Sequence, residues 1–158
     1  MSGAIPRLAA PRSPIDPVHA PNLPETPIID AKQLAVVAAR IADEKKGEEI
    51  QVIEVGDQLK VADYFVIVSG TSRAHVRALY NDLHVRLKAA GHQHPRPEGV
   101  ELGWWVVLDY GDVVVHILQP EAREYYDIER LYSDCPRVEL ADEPAIELPE
   151  APAVHRGG

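Results

Sequence analysis

The sequence predicts an α/β (α+β-like) domain, a mixed five-stranded sheet with helices packed on it. Three observations lead there. Two segments, one opening at Asp30 and one at Ser72, carry apolar residues at helical spacing and alternate with β-prone runs. Residues 64–68 form a nearly continuous apolar run, the pattern of a strand covered on both faces. Residues 104–109 and 113–118 are β-prone and joined by Tyr110-Gly111-Asp112, a hairpin signal. Strands on both sides of a helix, plus a hairpin, require a mixed sheet.

Seven of the 14 prolines lie in the first 27 residues, which also hold little to bury. Proline fixes φ and removes a donor, so residues 1–29 are expected as a disordered Pro-rich tail. Arg7 and Arg12 precede the first acid, Asp16, but the prolines argue against the amphipathic helix of a transit peptide. The folded domain is expected over residues 30–134. Asp30 is the N-cap of a first helix, in which Leu34, Val37, Ala38 and Ile41 share a face. Lys45 and Lys46 suit the negative end of its dipole, and Gly47 stops it. A strand follows at 50–55, a turn at Gly56-Asp57-Gln58, and the apolar strand at 64–68.

Ser69-Gly70-Thr71-Ser72 hands the chain to a second helix capped by Ser72, with Val76, Leu79, Tyr80, Leu83 and Leu87 as its apolar face and Gly91 at its end. Residues 92–96 read as a short edge strand limited by Pro95 and Pro97. The hairpin comes next, and one or two short helices run from Pro120, a good first-turn residue, to Leu131. Residues 135–158 are expected as a disordered acidic tail: from Asp134 onward six acids face two arginines, and four prolines interrupt any helix. Neither tail shows apolar periodicity, so residues 1–27 together with 139–158 are expected to be dispensable for cooperative folding.

Composition narrows the function. A chain of 158 residues with 46% in the apolar set supports one domain with a real core. Sixteen Lys plus Arg against 25 Asp plus Glu give a formal charge of -9, which argues against a broad DNA-backbone binder. A single cysteine, Cys135, excludes an intramolecular disulfide framework. No apolar run approaches the roughly 20 residues of a membrane span. The first residues lack the charged start and continuous apolar stretch of a secretory signal, so none is expected. The expectation is a soluble cytoplasmic protein with no membrane or DNA partner.

Several residues are candidates for chemistry. The turn Ser69-Gly70-Thr71-Ser72-Arg73 offers free N–H groups, hydroxyls and a cation to a phosphate, and Asp109 and Asp112 stand near a second turn. A nucleotidyl or phosphoryl transferase using these groups is the alternative reading. Its signal is poor: the spacing is not a Walker loop, no Asp-x-Asp follows, and acids flanking a tight turn are simply turn formers. The seven histidines are scattered, and none stands at metal-ligand spacing. His116 inside an apolar strand reads as a core residue. Arg73, Arg77, Asn81, His84 and Lys88 form a basic stripe on the second helix, fit for a solvated face or for a contact to an acidic partner or RNA.

Trp104 and Trp105 are neighbours on a predicted strand, so their indoles face opposite sides. Trp104, Val106 and Leu108 form the entirely apolar set and are expected to face the core. Trp105 shares its side with Val107 and Asp109 and is expected nearer the surface, at an interface.

The segments at 62–72 (Ala-Asp-Tyr-Phe-Val-Ile-Val-Ser-Gly-Thr-Ser), Glu98-Gly99, 105–116 (Trp-Val-Val-Leu-Asp-Tyr-Gly-Asp-Val-Val-Val-His) and 126–132 (Tyr-Asp-Ile-Glu-Arg-Leu-Tyr) together resemble the ribosomal silencing factor family, also called Iojap-related. The resemblance runs from Asp30 to Asp134 and includes the Lys45-Lys46-Gly47 helix end. It implies a nucleotidyltransferase-like topology without the catalytic acids, and a protein that is not an enzyme and needs no cofactor or metal. It implies binding to the large ribosomal subunit through the ribosomal protein numbered fourteen, with rRNA nearby, and a steric block of subunit joining that represses translation. Organellar relatives point to large-subunit maturation as well. The resemblance and the residue reading together give the expected contact set: Trp105, Trp104, Asp109, Tyr110, Glu98, Arg73 and Arg77. A homodimer of the free protein is the other association the reading admits.

Overall fold

The computed structural model describes residues 30–94, 97 and 99–152. The expected N-terminal tail and Glu98 lie outside them. Helix α1 (Ala31–Glu44) is followed by β1 (Glu48–Glu54), β2 (Tyr64–Ser69), α2 (Arg73–Ala89), β3 (Trp105–Asp109), β4 (Val113–Leu118), α3 (Pro120–Tyr126) and α4 (Ile128–Leu131), with a 3-10 turn at Leu140–Asp142.

Local signals place these elements. Asp30 accepts from the Gln33 N–H (2.8 Å), and the Gln33 side chain accepts from the Asp30 N–H (3.0 Å), a reciprocal capping box. Ser72 caps α2 by accepting from the His75 N–H at 3.0 Å. Past α1 the left-handed residue is Lys46 (φ 66°), not Gly47. Glycine stands at 47 for space: a Cβ there would lie 2.5 Å from Val68 Cγ2 and 3.0 Å from the Ala42 carbonyl oxygen.

Among the described residues the sheet has four strands in the order β1-β2-β4-β3, not five. The expected edge strand at 92–96 is absent over 92–94, and residues 95 and 96 lie outside the description. Pro95 cannot donate to a ladder, and Gly91 (φ 97°) turns the chain away from α2. β1 and β2 are antiparallel, β2 and β4 parallel, β3 and β4 antiparallel, so the sheet is mixed as expected.

Alternation divides the sheet into two faces. One face turns Val52, Val66, Val68, Val106, Leu108, Val113, Val115 and Ile117 into a core with α1 and the Val76, Leu79, Leu83 and Leu87 face of α2. The other packs Ile53, Val55, Phe65, Ile67 and Leu118 against Ala122 and Ile128 of the short helices.

The chain after residue 134 differs from the expected solvated tail. Glu54 N–H donates to the Pro136 carbonyl (2.9 Å) and Val138 N–H to the Val52 carbonyl (2.9 Å), so residues 136–138 cover the outer edge of β1. Beyond them Arg40 of α1 donates to the carbonyls of Leu140 (3.1 Å), Glu143 (2.9 Å) and Pro144 (2.7 Å), and Arg86 of α2 to that of Pro149 (2.7 Å). Val138, Leu140, Ile146 and Leu148 pack against the first core. The strap is irregular because its prolines forbid a helix, and its order comes from arginines distant in sequence.

Candidate functional site

The short helices cover the second sheet face incompletely. Trp105 and Val107 of β3 and Val114 of β4 are half-buried, whereas Tyr125, Tyr126 and Leu131 of the short helices are 78%, 44% and 66% exposed. Rings form a row here. Phe65 lies edge-on to His116 at 4.6 Å, His116 is 6.0 Å from Trp105, Trp105 is 4.6 Å from Tyr126, and Tyr126 is 4.9 Å from Tyr125. The row runs from the buried second core to solvent.

The Trp105 indole N–H donates to His116 Nδ1 at 3.2 Å. Burial holds the His116 imidazole neutral, with its pKa pushed down to about 4. Its Nε2 is buried without a partner. Arg123 of α3 pairs with Glu129 (2.8 Å) and donates to Ser69 Oγ (2.9 Å), which fixes the short helices against the end of β2.

The expected contact residues are not brought into one patch. Trp105 lies on the incompletely covered face with Val107 and Asp109, and Val106 and Leu108 turn to the core, as alternation requires. Trp104 departs from expectation: it is 38% exposed and is not a core residue. β3 begins only at Trp105, and before it the chain turns through Gly103 (φ 61°), so the alternation does not extend back to Trp104. The Asp109 carboxylate accepts from the Gly111 N–H (2.8 Å) and shapes the hairpin turn, where Gly111 adopts φ 88°. Tyr110 packs against the first core with its hydroxyl buried and unpartnered, and burial pushes that hydroxyl's pKa up. Arg77 donates to the carbonyls of Val100 (3.1 Å) and Glu101, while Arg73 lies against Gly103. The basic stripe is therefore partly consumed within the fold. His84, one of its members, shares a 2.9 Å hydrogen bond with His94 and stacks on Tyr80.

The groups of the alternative transferase reading are also in use. Ser69 serves Arg123, Thr71 N–H donates to His75 Nδ1 (2.9 Å), and Ser72 caps α2. A Cβ on Gly70 would stand 2.8 Å from Val76 Cγ2, so this turn is packed down onto its own helix. Among the described residues no group of three His, Cys, Asp or Glu is arranged to hold a metal ion, and no helix is long and apolar enough to cross a membrane.

Sequence reasoning missed two features. The tie between His116 and Trp105 carries no local signal, because it depends on the register between β3 and β4. Tyr125 and Tyr126 do carry a signal: two adjacent aromatics on a helix too short to bury both.

The matches to known proteins agree with this fold. The family model described as ribosomal silencing factor during starvation matches residues 28–156. The ribosomal silencing factor of Halalkalibacterium halodurans is 36% identical over 109 residues, covering 69% of this chain and 93% of its own. A mouse protein named for mitochondrial assembly of the ribosomal large subunit is 34% identical over 93 residues, 57% of this chain and 41% of its own. A crystal structure from Chromobacterium violaceum superposes with a TM-score of 0.65 at 34% identity, covering 66% of this chain and 88% of that one. The chain belongs to the ribosomal silencing factor family, whose members are named for silencing ribosomes and not for catalysis.

Proposed function

We propose that this protein binds the large ribosomal subunit through the ribosomal protein numbered fourteen, and blocks subunit joining by occupying the surface that the small subunit must meet. Translation is thereby repressed in the cytoplasm, and the same contact serves large-subunit maturation. Family membership supports the ribosomal role, and the name of the mouse relative supports the large subunit as partner. The observation that carries the choice of surface is the row of rings ending at the half-buried Trp105 and the exposed Tyr126 and Tyr125. Aromatic side chains that present much area with few rotatable bonds are typical interface anchors.

Charge favours a protein partner. A chain of net charge -9 is repelled by bulk rRNA and attracted to a basic ribosomal protein. Contact with nearby rRNA is left to Arg73 and Lys88 on α2, since Arg77 is held by the carbonyls of Val100 and Glu101. Trp105, the exposed Trp104 and Asp109 are kept in the proposed contact region, whereas Tyr110, packed into the first core, is not.

The test is a titration of the purified chain against the isolated ribosomal protein numbered fourteen, with another basic protein of the large subunit as control. Saturable binding to the first alone is expected. Equal binding to both would reduce the interaction to charge and overturn the assignment of partner.

A further inference from the structure

We propose that His116 is a positioning residue for the subunit contact: its neutral imidazole accepts the Trp105 indole N–H and fixes that ring, against Tyr126, in the orientation presented to the partner. The inference rests on the reading of Trp105 as a contact residue.

Register makes the geometry possible. Val107 pairs with His116 across β3 and β4, and Trp105 pairs with Leu118, so Trp105 stands diagonally from His116 on the same face. That diagonal is within reach of a large side chain, and the indole N–H closes it at 3.2 Å. On its other side His116 is held edge-on by Phe65 at 4.6 Å. The imidazole is thus clamped between a buried ring of β2 and the indole of β3. Its Nδ1 accepts, so the ring proton sits on Nε2.

That Nε2 is buried without a partner. An unpartnered buried N–H is unfavourable, and every other residue of β4 is apolar, Val113, Val114, Val115, Ile117 and Leu118. For stability alone, a phenylalanine or leucine would fill the space without leaving a donor unpaired. What the imidazole supplies, and those side chains do not, is an acceptor aimed at Trp105. An indole at the rim of a core needs such a partner to keep one orientation. With His116 in place, the ring is ordered before the partner arrives, and less ordering is left to occur on binding.

The experiment uses the full chain as wild type, His116→Phe, His116→Leu, His116→Asn and Trp105→Ala. Asparagine keeps an acceptor near the position of Nδ1, whereas phenylalanine and leucine have none. The Trp105 indole N–H signal, assigned by its absence from Trp105→Ala, is followed by NMR without any ribosome, and large-subunit binding is followed by co-sedimentation. His116→Phe and His116→Leu are expected to shift the indole signal, to speed its hydrogen exchange at least tenfold, and to weaken subunit binding at least fivefold. Folding stability at neutral pH should be unchanged or raised in at least one of the two. His116→Asn should restore most of the exchange protection and the binding. An unmoved indole signal in the folded Phe or Leu variant overturns the inference, whatever binding does. A moved signal with full binding, while Trp105→Ala fails to bind, overturns the positioning role but leaves the contact reading intact. Normal binding by Trp105→Ala removes the contact reading and the inference with it.

Discussion

Arg40→Ala is expected to detach the C-terminal strap from the domain. Arg40 donates three hydrogen bonds to main-chain carbonyls about a hundred residues away, at Leu140, Glu143 and Pro144. Each hydrogen bond from a charged donor contributes about 1.5–3 kcal/mol net when buried. The three are not additive, because they share one donor group and the released carbonyls regain water, so the expected total is about 2–3 kcal/mol. The partly buried Leu140, Ile146 and Leu148 depend on that attachment. For a domain of this size the loss corresponds to a melting temperature lower by about 8 °C. Urea denaturation gives the free energy, and limited proteolysis of the native state gives the location. The Arg40→Ala chain should be cut within residues 139–152 under conditions that leave this segment of the wild type uncut. Arg40→Lys should rescue only in part, because an ammonium cannot serve three carbonyls in a fixed fork. A loss below about 0.5 kcal/mol, or unchanged proteolysis, would show that Arg40 does not hold the strap.

Three further outcomes are expected. Gly47→Ala should cost about 1–3 kcal/mol in chemical denaturation, since the new Cβ would stand 2.5 Å from Val68 Cγ2 and 3.0 Å from a helix carbonyl. Ser72→Ala should cost about 1 kcal/mol through the lost cap and leave large-subunit binding unchanged in co-sedimentation. Acid should destabilise the protein through His116, whose folded pKa of about 4 lies below its ordinary value of 6.5. Between those values the unfolded chain takes up a proton that the folded one refuses, so stability is full above pH 6.5 and falls toward pH 4. At pH 5 this group costs about 2 kcal/mol. Urea curves at pH 7 and pH 5 should show a correspondingly smaller acid loss for His116→Phe.

What the sequence revealed and what it hid divide along the range of the interactions. The capping box at Asp30, the Ser72 cap, the apolar face of α2, the strand Tyr64–Ser69 and the hairpin at Gly111 rest on residues within a few positions of each other. Each was legible from spacing. The Val106 and Leu108 alternation was also legible, but it failed one residue earlier at Trp104, where the strand had not yet begun. The strap at 135–152 was illegible because the groups that order it, Arg40 and Arg86, lie on helices remote in sequence, and its own composition is that of a solvated tail. Of the candidate site, Trp105 and its face could be read from alternation. His116 looked like an ordinary core histidine, since the bond that distinguishes it is set by cross-strand register. Arg77 looked like a free cation until the turn at 99–102 supplied carbonyls for it.

The most direct test of a steric silencer is subunit joining itself. Purified small and large subunits are mixed with magnesium in the presence of increasing amounts of the chain, and the joined fraction is read from sucrose gradients. The wild-type chain should lower that fraction with its own occupancy and sediment only with free large subunits. Trp105→Ala, folded by circular dichroism, should leave joining intact, since losing a central interface tryptophan costs about 2 kcal/mol or more, roughly thirtyfold in affinity. A steric block is ruled out if the wild-type chain sediments with joined ribosomes, or if it leaves the joined fraction unchanged at saturation.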